Sequence, residues 1–399
     1  MTTLPPTLPP TPPTLTLLRN GHLYTPDDAG IGDVLLAGNQ VAAVGRDLAL
    51  PPANWPCRVV DLQGARVVPG LIDAHVHLTG GGGEAGSHTR VPAVRASALA
   101  AAGVTTVVGL LGTDGTTRTV AESLACARTI EHYGITAFCY TGSYQIPLTT
   151  LTGSVRGDLV HNDRLVAVGE LAIADHRSSQ PTLDELLRIA SDCHVAGMMT
   201  GKAGLLHLHV GDGVRGLELV RQALETTELP ARTFHPTHCN RQKRLWREAM
   251  ALHKDRGIYV DVTTFEADAD SLDAVQAVQS WLENACDPAR LTLSSDGGGC
   301  LPTFDGDGVL MHMDVGDSAG LLASINQLVQ GGMPLATVLP MVTRNVATLF
   351  RFTRKGRIEA GADADVLVLG DDGRPLHLWA GGQQLVADGN SLIREMFAR

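Results

Sequence analysis

The stretch "GLIDAHVHLTGGGGEAG", residues 70–86, decides how the rest of the chain is read. An apolar run carries two histidines two positions apart, then four glycines, then a single glutamate. Side chains two apart on a strand leave it on the same face, so His75 and His77 are expected to stand side by side. Glycine lets backbone approach a ligand at no steric cost. On that reading Gly80 to Gly83 form a tight loop that holds Glu84 over whatever the imidazoles bind. A plainer reading, a buried strand with hydrogen-bonded histidines and a simple turn, fits the same residues taken alone.

Outward from this stretch the pattern repeats as apolar strand, loop and helix. After "GLIDAHVHL" (70–78) come "VTTVVGLL" (104–111), "ITAFCYTG" (135–142) and "LVAVGELAI" (165–173). Four more follow: "LLHLHVG" (205–211), "ARTFHPTH" (231–238), "IYVDVTT" (258–264) and "LTLSSD" (291–296). Helix-period segments such as 181–197 and 244–257 separate them. Eight strands alternating with helices predict an α/β fold, a (β/α)8 TIM barrel, over residues 68–355. Residues 14–67 and 356–392 read instead as short strands with glycine-rich turns. They are expected to pair into one small β-sandwich-like domain made from both chain ends, with the barrel inserted between them. Residues 1–13, rich in proline and threonine, read as a disordered tail.

Composition narrows the function. The chain has 399 residues, 44% of them hydrophobic, enough for two domains or one large barrel with an appendage. No apolar run approaches the ~20 residues of a membrane span. Net charge is −11, and Lys202, Lys243, Lys254 and Lys355 are the only lysines, so neither nucleic acid nor anionic lipid is an expected partner. A negatively charged small substrate must be met by individual arginines. The cysteines at 57, 126, 139, 193, 239, 286 and 300 are scattered, without a CxxC pair. Free thiols in a reducing compartment fit them, and the start of the sequence lacks a signal pattern, so a cytoplasmic location is expected.

Barrel enzymes place their chemistry at the C-terminal ends of the strands. There strand 1 carries His75 and His77, strand 4 Glu170, strand 5 His209, strand 6 His238 and strand 8 Asp296. Each is a nitrogen or oxygen donor suited to Zn²⁺ or a similar divalent ion. Any one of these histidines has a structural explanation. Five strands each ending in a ligand type at the same end predict a metal site.

The motifs "HVHLTGGGGEAGS", "GLLGTDG", "TGSYQIP", "ADHRS", "PTHCNR" and "LSSDGGG" resemble, in order and spacing, those of the metal-dependent amidohydrolase superfamily, and more narrowly the bacterial isoaspartyl (β-aspartyl) dipeptidases. The resemblance implies a hydrolase that cleaves the isopeptide bond of β-aspartyl dipeptides. It implies two Zn²⁺ per subunit: His75 and His77 on the first, with Asp296 near it, His209 and His238 on the second, and a hydroxide between them. Asp296 would then serve as general base and general acid, and Tyr144 would hydrogen-bond the developing oxyanion. Glu84 would hold the substrate's free α-amino group. Arg177 and Arg241 would clamp its carboxylates, and Gly82 and Thr113 would add hydrogen bonds. A homo-oligomer is implied as well.

Two positions depart from that pattern. The relatives bridge their metals with a CO₂-modified lysine on strand 4, where this chain has Glu170. A glutamate keeps the anion that two dications need between them, but it is three bonds shorter, about 3–4 Å on standard geometry. Either the metals sit nearer strand 4, or the second site is weak, or one metal suffices. Lys202 lies at the wrong end of the barrel to substitute, and Lys243 reads as a helix start. Cys300 stands where relatives carry serine, so a weaker donor faces any substrate carboxylate there. His207, two before His209, is expected lower in the barrel as core rather than ligand. Two other functions stay open: an amidohydrolase on another small amide, such as an N-acyl amino acid, and a non-catalytic barrel with a degenerate metal site.

Overall fold

The structure, a computed structural model, describes residues 15–304 and 310–396; the tail expected over residues 1–13 lies outside the described residues. The two chain ends meet in one nine-stranded sheet. Strands β1 (Leu15–Tyr24), β2 (Asp28–Ala37), β3 (Gln40–Gly45), β4 (Cys57–Asp61) and β5 (Arg66–Pro69) come from the N-terminal side. The parallel strands β6 (Leu71–Val76), β7 (Val104–Gly109), β8 (Thr136–Thr141), β9 (Leu165–Ile173), β10 (Leu206–Val210), β11 (Phe234–Thr237), β12 (Val260–Thr263) and β13 (Leu291–Ser294) follow. Then come a hairpin, β14 (Cys300–Phe304) and β15 (Leu310–Val315), and the C-terminal strands β16 (Val366–Leu369), β17 (Pro375–Ala380), β18 (Gln383–Ala387) and β19 (Asn390–Ser391).

The nine-stranded sheet runs β19-β18-β17-β16-β5-β1-β2-β3, with β4 also paired to β1. Its two halves join where β16 lies antiparallel to β5, Leu367 opposite Val68. The alternating apolar residues of these strands close a core of their own, including Leu18, Val34, Leu36, Val67, Val366, Val368 and Trp379. The β unit is therefore one hydrogen-bonded sheet with a separate core.

All eight expected parallel strands are present. Six form a curled sheet in the order β11-β10-β9-β8-β7-β6, and β12 and β13 pair with each other. Past β13, His77 N–H donates to Gly297 O at 2.8 Å, and Val76 bridges Gly297 in parallel. Seven of the eight are buried along their whole length, and β8 is buried except at Thr136 and Phe138, which are half-buried, as expected of parallel strands covered on both faces. Val, Ile and Leu made most of them readable, although β8 (TAFCYT) and β11 (FHPT) carry none of the three. The helix expected over 181–197 is Leu183–Thr200; Thr182 and Glu185 cap it reciprocally, and Gly201 ends it at φ 73°. The hairpin β14–β15 lies outside the eight-strand reading, because its short runs carry no helix after the first strand to mark a repeat. No helix among the described residues is long and apolar enough to cross a membrane.

Candidate metal centre and active site

At the C-terminal ends of the parallel strands the predicted donors converge on one carboxylate. Glu170, on β9, is fully buried. Its Oε2 lies 3.5 Å from His75 Nε2, 3.4 Å from His209 Nδ1 and 3.4 Å from His238 Nε2, and its Oε1 lies 3.5 Å from His77 Nε2. Asp296 Oδ1 completes the cluster at 3.0 Å from His77 Nε2 and 3.3 Å from His75 Nε2. The shorter side chain at position 170 thus reaches all four histidines. Backbone conformation is spent on this arrangement: His238 and Asp296 both have left-handed φ values, 62° and 54°. Such positions cost about 1–3 kcal/mol each for non-glycine residues, and they turn these two side chains inward just past the ends of β11 and β13.

The cluster has the makings of a cation site. The donor atoms of His75, His77 and Asp296 lie within 4.8 Å of one another, and so do those of His75, Glu170 and His238. His75 Nε2, His77 Nδ1 and Glu170 Oε1 are buried without a hydrogen-bond partner among the described residues, an arrangement that costs free energy unless something else satisfies them. Electrostatics agree. Burial opposes charge on His75, but Glu170 and Asp296 outweigh it and hold the ring well above the ordinary histidine range. Burial likewise pushes Glu170 and Asp296 up, yet the imidazoles around them keep both well below the usual carboxylate range. The centre favours positive charge enclosed by ionised carboxylates and nitrogen donors, which is a fit for one or two divalent ions. His209 belongs to neither compact group, although its Nδ1 faces Glu170.

A pocket opens over the cluster, lined by His77, Gly82, Glu84, Thr113, Tyr144, Arg241, Asp296 and Cys300 among others. Gly82 sits at φ 77°, and a Cβ there would meet Thr89 O at 2.5 Å, so only glycine fits this part of the loop. Tyr144, which as a lone sequence feature reads as an exposed loop residue, is buried and 2.7 Å from His209 Nδ1. Burial and the nearby Glu170 raise its phenol well above its ordinary range, so it remains a donor at any working pH. Glu84 Oε1 lies 3.7 Å from Arg177 Nη1, and its buried Oε2 has no hydrogen-bond partner among the described residues. Arg241 Nη2 donates to Asp296 Oδ2 at 2.8 Å. Burial and the adjacent Glu84 push the Cys300 thiol up to about 12, so it stays protonated. His207 is buried within hydrogen-bond reach of His75.

Two residues of the site were not singled out by the sequence reading. Asp175 accepts from Arg177 Nε at 3.1 Å and Nη2 at 2.8 Å, and from His209 Nε2 at 2.8 Å. Burial works against its charge, but His209 and Arg177 hold it far below the usual carboxylate range. It orients both, and its place in the "ADHRS" motif was the available signal. Arg118, buried, donates to the carbonyls of Thr79, Gly80, Gly81 and Val91 and so clamps the glycine loop. Nothing near position 118 in the sequence points back to residue 80.

Comparisons with known proteins identify the family. The model of the amidohydrolase family matches residues 66–385. A crystal structure of β-aspartyl dipeptidase from Fervidobacterium islandicum AW-1, in complex with β-Asp-Leu dipeptide, is 38% identical with a TM-score of 0.92, covering 96% of this chain and 99% of that one. A second structure of that enzyme is 37% identical with a TM-score of 0.88, covering 96% and 100%. Among curated proteins, adenine deaminase 2 of Carboxydothermus hydrogenoformans is 27% identical over 347 residues, 84% of this chain. The chain spans about half the length of that relative, 52%. With its family model matched across both the catalytic strands and part of the β unit, the chain belongs to the amidohydrolase family.

Proposed function

We propose that this protein is a metallohydrolase that cleaves the isopeptide bond of β-aspartyl dipeptides. The observation that carries the reading is the charge in and around the pocket: Glu84 and Arg241 line it together with Asp296, and Arg177 Nη1 stands 3.7 Å from Glu84 Oε1. A β-aspartyl dipeptide offers one ammonium and two carboxylates. The likeness over nearly the full chain to a dipeptidase solved with β-Asp-Leu supports the same substrate class. We read the curled sheet and the β12–β13 pair as one (β/α)8 barrel over residues 68–355, with residues 14–67 and 356–392 as the second domain.

His75 and His77, with Asp296, would hold one Zn²⁺; His209 and His238 would hold another, with Glu170 between them. When bound, such ions supply Lewis acidity and lower the pKa of water toward ~7. The rest is done by the chain. Asp296, kept ionised by the surrounding imidazoles and oriented by Arg241, takes the proton of the attacking water as the C–O bond forms. It returns that proton to the leaving amine nitrogen as the C–N bond breaks. Tyr144 donates to the carbonyl oxygen as charge develops there. Glu84 receives the substrate's α-ammonium.

Aspartate release from β-Asp-Leu by Zn²⁺-loaded protein, with α-Asp-Leu and an N-acyl amino acid in parallel, tests the reading. Release from the β-linked peptide alone is expected, and its loss with a chelator. Activity confined to the N-acyl compound, or silence on all three, would overturn it. Tyr144→Phe should lower kcat by about 10²–10³ with little change in KM, the cost of one oxyanion donor; a drop under threefold in steady-state assays would remove Tyr144 from the mechanism. Glu84→Gln should act on the other parameter. A hydrogen bond to a charged group contributes about 1.5–3 kcal/mol, so KM for β-Asp-Leu should rise roughly 10- to 100-fold while kcat changes much less. An unchanged KM would mean that the ammonium is held elsewhere.

A further inference from the structure

Beneath the proposed metal centre runs a hydrogen-bonded file of buried side chains that the mechanism does not use. His75 Nδ1 lies 2.9 Å from His207 Nε2, and His207 Nδ1 lies 3.0 Å from His235 Nδ1. His235 Nε2 lies 3.0 Å from Thr292 Oγ1, which donates to Asp261 Oδ1 at 2.6 Å. All five residues are fully buried. They come from β6, β10, β11, β13 and β12 respectively, so the file crosses the interior strand by strand. Asp261 also accepts from Thr237 Oγ1 and Ser294 Oγ. Tyr140 stacks on the His207 ring at 5.2 Å between centroids.

The polarity of the file follows from its ends. Asp261 can only accept when ionised, so Thr292 donates to it and must accept from His235 Nε2–H. His235 is then protonated at Nε2 and accepts at Nδ1, which requires a proton on His207 Nδ1. His207 therefore accepts at Nε2, and the donor to it is His75 Nδ1–H. In the neutral ring that a metal ligand must be, this order puts the His75 lone pair at Nε2, which faces Asp296 and Glu170. Burial pushes His235 down to about 3, so its ring keeps the single proton that this order needs.

We propose that His207, His235, Thr292 and Asp261 are positioning residues that fix the tautomer of His75 and make its Nε2 a better metal donor. The inference rests on the metal centre proposed above. A carboxylate at the far end of such a file polarises every bond toward the ligand, and partners of this kind typically contribute 10- to 100-fold in metal affinity. This accounts for a pair of histidines, 207 and 235, that ligate nothing and would otherwise be a costly way to fill a core.

The test measures metal affinity by competition with a chelator, beside the thermal unfolding of each variant. His235→Phe keeps the ring and breaks the file two links from His75. His235→Gln keeps an acceptor and a donor. The Phe variant should bind one metal equivalent 10- to 100-fold more weakly, and the Gln variant should recover to within about threefold of wild type. Thr292→Val and Thr292→Ser repeat the comparison one link further on, should the Phe variant not fold. Phe and Gln variants equal to each other, or Val and Ser variants equal, would overturn the proposal. Wild-type protein that retains no metal would overturn the metal centre itself, a separate result from variants that match a metal-binding wild type.

Discussion

Asp296→Asn should reduce kcat on β-Asp-Leu by roughly 10³–10⁴-fold, near the upper end of what one general acid–base group contributes. The substitution keeps the shape of the side chain and removes the proton acceptor. It also removes the anion that Arg241 Nη2 grips at 2.8 Å and that His75 and His77 face at 3.3 and 3.0 Å. The two roles separate by measurement. If the variant keeps its metal, the loss belongs to proton transfer and KM stays close to wild type. If one equivalent is lost, ligation dominates. A variant that retains a tenth of the wild-type kcat would exclude Asp296 from both roles.

Glu170→Gln is expected to be nearly as damaging, through the metal rather than the proton. Its carboxylate lies within 3.5 Å of all four candidate histidine ligands. Two dications held that close repel each other strongly unless an anion lies between them, and glutamine offers only a dipole. We expect retained metal to fall from two equivalents to one or fewer, with kcat/KM reduced about 10³-fold, a loss of close to 4 kcal/mol at the transition state. Metal analysis after gel filtration and steady-state kinetics measure both. Because glutamate carries its own carboxylate, wild-type activity should also be indifferent to removal of CO₂ and bicarbonate. Dependence on bicarbonate, or full metal content in the Gln variant, would contradict a bridging Glu170.

Part of this protein can be read without coordinates. The parallel strands β6 to β13 are legible because short buried strands are rich in apolar residues, and their neighbours in sequence are helices of plain period. His75, His77, Glu170, His209, His238 and Asp296 are legible because strand ends share one rim in this architecture, so a list of strand-terminal residues is already a list of neighbours. Glu84 and the glycine loop belong to the same local reading.

What the order of residues leaves open is set by contacts across the interior. Asp175 is an unremarked acid until β9 and β10 bring it to His209, and Arg118 is a loop arginine until the carbonyls of residues 79 to 81 close on it. His207 reads as core, yet it touches His75 across 132 positions of chain. The reach of Glu170 is likewise a tertiary fact, because the distance from its strand to the histidines depends on how the sheet curls. Periodicity and residue type determined the strands, the helices and the donor set, since these answer to local burial and local chemistry. Which donors share a proton, which cation faces which anion and how far a side chain must reach were decided by the packing of strands far apart in sequence. Hydrogen bonds and Coulomb forces depend on distances in space that only the closed interior defines.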